Sequence, residues 1–339
     1  MASFDLRIYI ENSLKPKPSH MHFKKFSTIG LLFFVSLIAK SQVSIPEWRD
    51  SSLIPVSRMV QHSEFLNNMY SFPAKPRSQW ELGVKVGAPS IMGDVSANYP
   101  AVGFGVHLRK SLGYLLSIRA EYFHGTPSGL DWHSSNNYNY NTAWAGNGYL
   151  PNIRSGNTFS PVQDKVFYNY KTSLNDLSVQ GIFNLNNVRF HKAQPKFSLY
   201  SLVGIGITFY ETKIDALKGT NQKYAFNSIQ DATWENRNQV RDQVKSLLDG
   251  TYETKAEVDP LKGSTLFGMS STISISGGIG FAFKLSPKIN LAVEDRIVLT
   301  KTDLLDGQRW ASTPIGDAAA TPDKDHYNFL SIGLNINLF

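Results

Sequence analysis

The chain has 339 residues, of which 42% are hydrophobic and 18% charged, a low share of charge for a chain of this size. It contains no cysteine, which excludes disulfide bridges, thiolate metal sites and cysteine nucleophiles. The net charge of +7 is spread along the chain and not gathered into a basic run, so nucleic acid is not an expected partner. Aromatic residues reach 12%, which suits strands and membrane-interface girdles.

An export signal is predicted in the segment MHFKKFSTIGLLFFVSLIAKSQ, which begins at Met21. Two lysines form its positive n-region, residues 29–39 form its apolar h-region, and a small-x-small cleavage site lies at 39–41. We therefore predict a signal peptide over 21–41 and interpret 1–20 as an extension upstream of the true start. No later run of about 18 apolar residues follows, so no transmembrane helix is predicted.

The mature part is predicted to begin with a periplasmic lead-in over 42–77, followed by one domain over 78–339. Within the lead-in, Val56, Met59, Val60 and Met69 have the spacing of a short amphipathic helix. Their pattern ends before a proline-containing stretch, which marks the boundary of the domain.

Period-two alternation of apolar and polar residues, which is typical of strands with one buried face, recurs eight times in the domain. The alternating segments are 80–87, 102–109, 116–123, 177–185, 197–210, 271–283, 289–299 and 330–339. The short connections are 110–114, 186–195 and 286–288, and the long ones are 88–100, 125–169, 212–268 and 301–325. Short turns on one rim and long loops on the other indicate an all-β fold, a closed eight-stranded antiparallel up-and-down transmembrane β-barrel with long extracellular loops.

The charged residues of these segments fall on the polar rows, apart from Asp295, which alternation places on the apolar row. A Lys or Arg facing lipid near the midplane costs about 2–4 kcal/mol, so we expect the polar rows to face the barrel interior, or lumen. Eight strands leave an interior that side chains can fill, and buried charges must be paired. The sequence therefore predicts a lumen ion-pair network, with gated conductance through it as the alternative. Its members are Glu81, Lys85, His107, Arg109, Arg119, Glu121, Glu294 and Arg296.

Several segments together resemble the N-terminal β-barrel of OmpA-family outer-membrane proteins from the Bacteroidetes. They are LRKSLGYLLSIRAEYFHG (108–125), FNLNNVRFHK (183–192), LLDGTYET (247–254), INLAVEDRI (289–297), DLLDGQRW (303–310) and YNFLSIGLNINLF (327–339). The resemblance implies a place in the bacterial outer membrane, with outer-membrane lipid as partner. It also implies that the barrel-assembly machinery reads the terminal Phe339 as its signal during biogenesis. In this family a periplasmic peptidoglycan-binding domain commonly follows the barrel; the sequence ends at the last strand, so that activity is not carried over.

Other candidate sites have structural explanations beside the functional ones. His124, Asp131 and His133 could ligate a metal, but an Asn- and Ser-rich loop defines no geometry for one. Asp303 and Asp306 could bind Ca²⁺, although a turn after the seventh strand explains them better. No metal or cofactor is predicted.

Two features of the strand ends and loops remain. Aromatic residues near strand ends are expected to form interface girdles: Tyr114, Tyr122, Tyr168, Tyr170, Tyr210, Tyr327 and Trp310. A helix is predicted from about Trp234 to Leu248, packed on the rim of the barrel.

The sequence leaves four functions to consider. The first is a structural, anchoring barrel whose loops make cell-surface contacts with an unknown extracellular ligand, without enzymatic activity. The second is a narrow pore or uptake component. The third is an outer-membrane hydrolase or acyltransferase, for which the sequence offers only scattered histidines. The fourth, a soluble lipocalin-like carrier, requires an apolar lumen, which the charged rows contradict.

Overall fold

Eight long strands, each overlapping one alternating segment, carry the fold in the computed structural model. They are β1 Trp80–Met92, β2 Gly103–Ser111, β3 Leu116–Gly125, β4 Val166–Asn184, β5 Phe197–Ile214, β6 Ser270–Lys284, β7 Ile289–Thr300 and β8 His326–Asn337. The structure describes residues 51, 54–71, 74, 80–98, 101–113, 115–136, 138, 140–151, 154–155, 158–159, 163–185, 197–219, 221–257, 268–286, 288–310 and 320–338.

All described residues belong to the second of two units into which the chain divides, Pro46–Phe339. The predicted upstream extension, the signal peptide, Tyr114 and the terminal Phe339 lie outside the described residues.

Consecutive strands pair antiparallel, and the first pairs with the last. On β1, Leu82 lies opposite Leu108 of β2 on one side and opposite Ile336 of β8 on the other. The sheet therefore closes into a barrel of eight strands, as predicted. Closure satisfies the backbone hydrogen bonds of every strand and leaves no free edge along the barrel.

The two faces of the barrel wall differ as the alternation predicts. Polar side chains face the lumen and are buried, and aliphatic side chains face outward and are exposed. The exposed outward residues include Leu82, Val84, Val86, Phe104, Val106, Leu108, Ile118, Leu177, Val179, Val203, Ile205, Ile207, Ile273, Ile275, Ile279, Ile297, Leu299, Leu330, Ile332, Leu334 and Ile336. Ile182 breaks the polar row because it packs inside with Tyr200 and Leu202 in a small apolar cluster.

Strand β4 begins at Val166, well before the predicted start at Leu177. Its first five residues, 166–170, are all buried, so no polar face produces an alternating pattern there. A strand over Ser128–Ser135, within a segment predicted as loop, pairs with this extension through a register shift between Leu130 and Ser134.

The helices are few and short. α1 spans Met59–Leu66 after a 3₁₀ turn at Val56–Arg58, α2 spans Thr142–Ala145, and α3 spans Arg237–Leu247, with another 3₁₀ turn at Phe226–Ser228. Short strands lie at Ala97–Asn98, Arg154–Ser155, Thr158–Phe159, Leu217–Lys218, Gln222–Lys223 and Thr254–Lys255. None of the described helices is long and apolar enough to cross a bilayer.

Both predicted helices are present, but only one packs its apolar face. In α3, Val240 and Val244 are buried, and the helix packs against the strand Ser128–Ser135. In the lead-in, Val56 and Val60 remain exposed on either side of the start of α1.

The long connections fold into a structure with its own core. We use the name cap for the described residues of 93–98, 126–151, 215–257 and 301–310. Trp144 of the cap is fully buried, with its ring centroid 5.4 Å from that of Tyr149 and 6.2 Å from those of Tyr168 and Phe226. This cluster continues into the part of the lumen next to the cap through Phe123 and other barrel residues, so the described loop residues and the barrel share one packed core.

Four of the aromatic residues predicted as girdle residues are instead buried in this core, namely Tyr168, Tyr170, Tyr210 and Tyr327. The girdle prediction rests on their position near strand ends. These parts of the strands extend past the charged network towards the cap, and there the four rings point inward. Tyr122 does face outward and is exposed, in agreement with the prediction.

Candidate functional site in the barrel lumen

The charged network lies in the lumen. Its side chains come from six of the eight strands, the neighbouring strands β1 to β5 and, across the barrel, β7. β1, β2 and β3 contribute the predicted residues from Glu81 to Glu121, and β7 contributes Glu294 and Arg296. The structure adds three residues that the sequence pattern did not single out: Asp176 and Gln180 from β4, and Tyr200 from β5.

Glu294 is the acceptor at the centre of the network. Arg119 binds it in bidentate fashion, with Nη1 2.7 Å from Oε2 and Nη2 2.9 Å from Oε1. Lys85 Nζ donates to Oε1 at 2.9 Å, and the hydroxyl of Tyr200 donates to Oε2 at 2.9 Å. The ring of Tyr200 reaches this point across β6 because Gly280 has no side chain; a Cβ at that position would overlap the ring.

Glu121 joins this centre to a second group of charges. Its carboxylate lies 2.7 Å from Lys85 Nζ, 3.2 Å from Arg119 Nη2 and 3.2 Å from Arg296 Nη1. Arg296 also pairs with Asp176 at 3.2 Å. Three cations (Lys85, Arg119, Arg296) therefore face three anions (Glu121, Asp176, Glu294), and the charges balance inside a region closed to solvent.

On the side of the network nearer the cap, polar and aromatic groups contact its charged side chains. Thr208 and Ser274 donate to Asp176 Oδ2 at 3.0 and 3.2 Å. The ring of Phe123 lies 5.5 Å from the guanidinium of Arg296, and that of Phe329 lies 5.6 Å from Lys85 Nζ. Such cation–π contacts favour the charged forms where water is excluded.

The remaining three predicted residues form a smaller group near the end of the lumen that lies away from the cap. Glu81 lies 3.4 Å from Arg109 Nη1 and 3.8 Å from His107 Nε2. The structure thus brings the eight predicted residues into two groups, one of five charges around Glu294 and one of three around Glu81.

The candidate metal ligands do not come together. His124 Nδ1 lies 2.9 Å from Asn175 Oδ1 on the outer wall, whereas His133 Nδ1 lies 3.3 Å from Asp131. No group of three metal-ligating side chains occurs in the part of the chain that the structure describes. Asp306 instead organises a turn, with its carboxylate accepting from the backbone of Gln308 at 2.9 Å.

Two buried carboxyl groups, Asp306 and Asp325, hold the loops of the cap together. Asp325 Oδ2 accepts from the backbone of Leu305 at 2.7 Å, and Asp306 Oδ2 accepts from that of Val95 at 2.9 Å. Burial raises the pKa of Asp306 to about 7, and burial together with the neighbouring Asp306 raises the pKa of Asp325 to about 9. The protonated forms are therefore the ones that the folded cap favours.

This pair predicts that the cap loosens as the pH rises. Because the folded-state pKa values lie above the unfolded value of 3.8, stability is greatest below about pH 4 and falls as the pH rises through 7 and 9. Asp94 and Asp303 add to the effect by repulsion, and Lys324, 3.3 Å from Asp303, offsets part of it. We expect protease cleavage within the cap to rise at least about tenfold from pH 5 to pH 9.

Asp325→Asn provides the control for this pH dependence, since the amide oxygen can still accept from Leu305 but carries no charge. Cleavage of this variant is expected to change much less with pH. An equally steep pH profile in the variant would show that other groups are responsible.

No protein-family model matches the chain, and no curated protein is similar to it in sequence. Among solved structures, Neisserial surface protein A is similar at 8% identity, with a TM-score of 0.33 over 76% of this chain and 96% of that chain. The attachment invasion locus protein of Yersinia pestis is similar at 10% identity, with a TM-score of 0.34 over 77% and 99%. A major outer membrane protein from Thermus thermophilus is similar at 9% identity, with a TM-score of 0.35 over 77% and 100%. These values show a likeness of fold at most, so the resemblance to the OmpA family stays a prediction.

Proposed function

We propose that the chain is an outer-membrane β-barrel that anchors a folded extracellular cap, with the ion-pair network filling the lumen. The observation that carries this is the inverted distribution of side chains: aliphatic residues cover the outside while charges of both signs occupy the inside. In water the opposite distribution is favoured, because exposed aliphatic surface is costly. In a bilayer this distribution is the stable one.

The cap supports a role in contacts at the cell surface. Its long connections share one rim of the barrel, the rim that faces the exterior in outer-membrane barrels. Half of its described Phe, Tyr and Trp rings are buried, whereas Trp234 is 63% exposed. The guanidinium of Arg237 lies 3.9 Å from the centre of the Trp234 ring, and the ring centroid of Trp132 lies 6.4 Å from that of Trp234. Exposed indole and guanidinium groups are the side chains that most often contribute binding energy at interfaces.

The pore alternative is less well supported. Paired charges and the rings above them occupy the lumen, and buried pairs that bridge several strands resist displacement. The same pairing and burial keep the charged groups of the lumen from acting on a substrate, which makes the enzyme alternative less well supported too. We therefore propose a non-enzymatic anchor.

A substitution on the outer wall tests the membrane assignment. Ile205 faces outward on β5 and is 68% exposed. Ile205→Arg is expected to destabilise the barrel by about 2–4 kcal/mol in lipid vesicles, because the guanidinium faces hydrocarbon. Urea titration followed by heat-modifiable gel migration measures this, with Ile205→Leu as the matched control.

The same substitution has the opposite consequence for a water-soluble barrel, where an exposed arginine is nearly neutral and aids solubility. A protein that stays soluble without detergent, and tolerates Ile205→Arg, would therefore contradict the proposed function.

A further inference from the structure

A carboxylate lies on the apolar exterior of the barrel. Asp295 faces outward on β7, in the same row as Ile297, and opposite it lie Leu330 of β8 and Ile279 of β6. Ile297, Leu330 and Ile279 are all exposed on this surface. The wall that the proposed function places in lipid is therefore interrupted here by a polar group, although charged groups facing hydrocarbon are rare and costly.

Asp295 has one partner, and that partner lies on the same surface. Asn328 of β8 donates from Nδ2 to Asp295 Oδ1 at 2.5 Å. Among the described residues no other group bonds to this carboxylate or this amide, so one carboxylate oxygen and one amide N–H stay available. An acceptor and a donor thus lie side by side, both unsatisfied in hydrocarbon.

The surface beside this pair is shallow. Gly277 of β6 lies opposite Ile297 on the outer wall, and a Cβ built on it would have no neighbour within 4 Å. Small residues let a second membrane-spanning surface approach closely, and polar groups beside them add hydrogen bonds between the two surfaces.

We propose that this face is the contact between two copies of the chain in the membrane. It comprises Gly277, Ile279, Asp295, Ile297, Asn328 and Leu330. Because donor and acceptor are adjacent, a two-fold axis along the membrane normal places Asn328 of each copy against Asp295 of the other. Each carboxylate then accepts from two amides, which offsets the repulsion between the two acids. The inference rests on the proposed function, since it requires a barrel inserted in a bilayer.

The absence of cysteine makes the contact measurable by cross-linking. In the full chain, Leu330→Cys places a thiol on the proposed face, and Val179→Cys places one on β4, on the far side of the barrel at similar exposure. Both are refolded into phosphatidylcholine vesicles at low protein-to-lipid ratio and oxidised. We expect at least about ten times more disulfide-linked dimer from Leu330→Cys, equivalent to about 1.4 kcal/mol of preference.

Variants of the polar pair separate a specific contact from collision. In the Leu330→Cys background, Asp295→Leu is expected to lower the dimer yield about tenfold. With Asn328→Asp, only carboxylates face each other across the proposed contact, so this variant is expected to give the lowest yield of disulfide-linked dimer. Adding Asp295→Asn to it exchanges donor and acceptor, and this double exchange is expected to restore the original yield.

Heat-modifiable gel migration, recorded for every variant, distinguishes two kinds of failure. An unaltered chain that does not insert contradicts the proposed function. The chain could instead insert and give equal yields of disulfide-linked dimer from the two cysteine positions, or a yield that Asp295→Leu does not change. Either result overturns the dimer contact alone.

Discussion

Replacing Glu294 with Gln is expected to lower the free energy of unfolding of the barrel by about 3–5 kcal/mol. The carboxylate neutralises Arg119 and Lys85, and all three side chains are almost completely buried. Gln keeps the size of the side chain but leaves the two cations with one buried anion, Glu121, between them. Urea titration of the barrel in lipid vesicles, followed by tryptophan fluorescence and gel migration, measures the loss.

Glu211→Gln is the matched control, since the same chemical change falls on an exposed ion pair. Glu211 lies 3.0 Å from Lys255 on the outside of the protein, where such a pair contributes about 0–1 kcal/mol. Equal losses in the two variants would show that burial of the network contributes nothing to stability.

The unaltered barrel also distinguishes a plug from a pore. In planar bilayers we expect the unaltered barrel to show no single-channel conductance, because paired charges fill the lumen. Steady single-channel conductance of the unaltered barrel would favour the pore alternative over the anchor.

Trp144→Ala is expected to destabilise the cap by about 3–5 kcal/mol while leaving the barrel inserted. The indole is fully buried among Tyr149, Tyr168 and Phe226, so its removal creates a large cavity. The strands below depend instead on closure of the barrel and on the lumen charges. Hydrogen exchange should rise at 142–149 and 224–229 and stay low in the central part of β1 and β8.

Trp234→Ala serves as the control for this substitution. Trp234 is 63% exposed, and its loss is expected to change stability by no more than about 0.5 kcal/mol. If Trp144→Ala also abolished the gel shift of the barrel, the cap and the barrel would have to be regarded as one cooperative unit.

The barrel could be predicted from the sequence because alternation marks each strand that has one apolar and one polar face. The pattern also predicted which face carries the charges, and Lys85, Arg119, Glu121, Glu294 and Arg296 do meet in the lumen. Asp176 was missed because the predicted fourth strand starts one residue later, at Leu177. Gln180 and Tyr200 lie on the polar rows but carry no charge, and charge was the criterion for membership of the network.

The cap could not be predicted because its contacts join residues far apart in the chain. Tyr149 donates to the carbonyl of Ala216, and Asn141 donates to that of Gly307. Neither contact leaves a local periodicity. An aromatic residue near a strand end suits a lipid interface or a buried core equally well, and only the three-dimensional path of β4 and β5 decides between them.

The central carboxylate of the lumen also bears on how the barrel forms. Glu294 on the seventh strand contacts Lys85 and Arg119, which lie 209 and 175 residues away in the chain. While the sheet is still open, water can hydrate each of these charges separately, so the attraction between them contributes late in folding, when the last strand joins the first. Interactions that form after the rate-limiting barrier slow unfolding more than they speed folding. The expected result is a barrel that assembles slowly and, once assembled, persists for a long time.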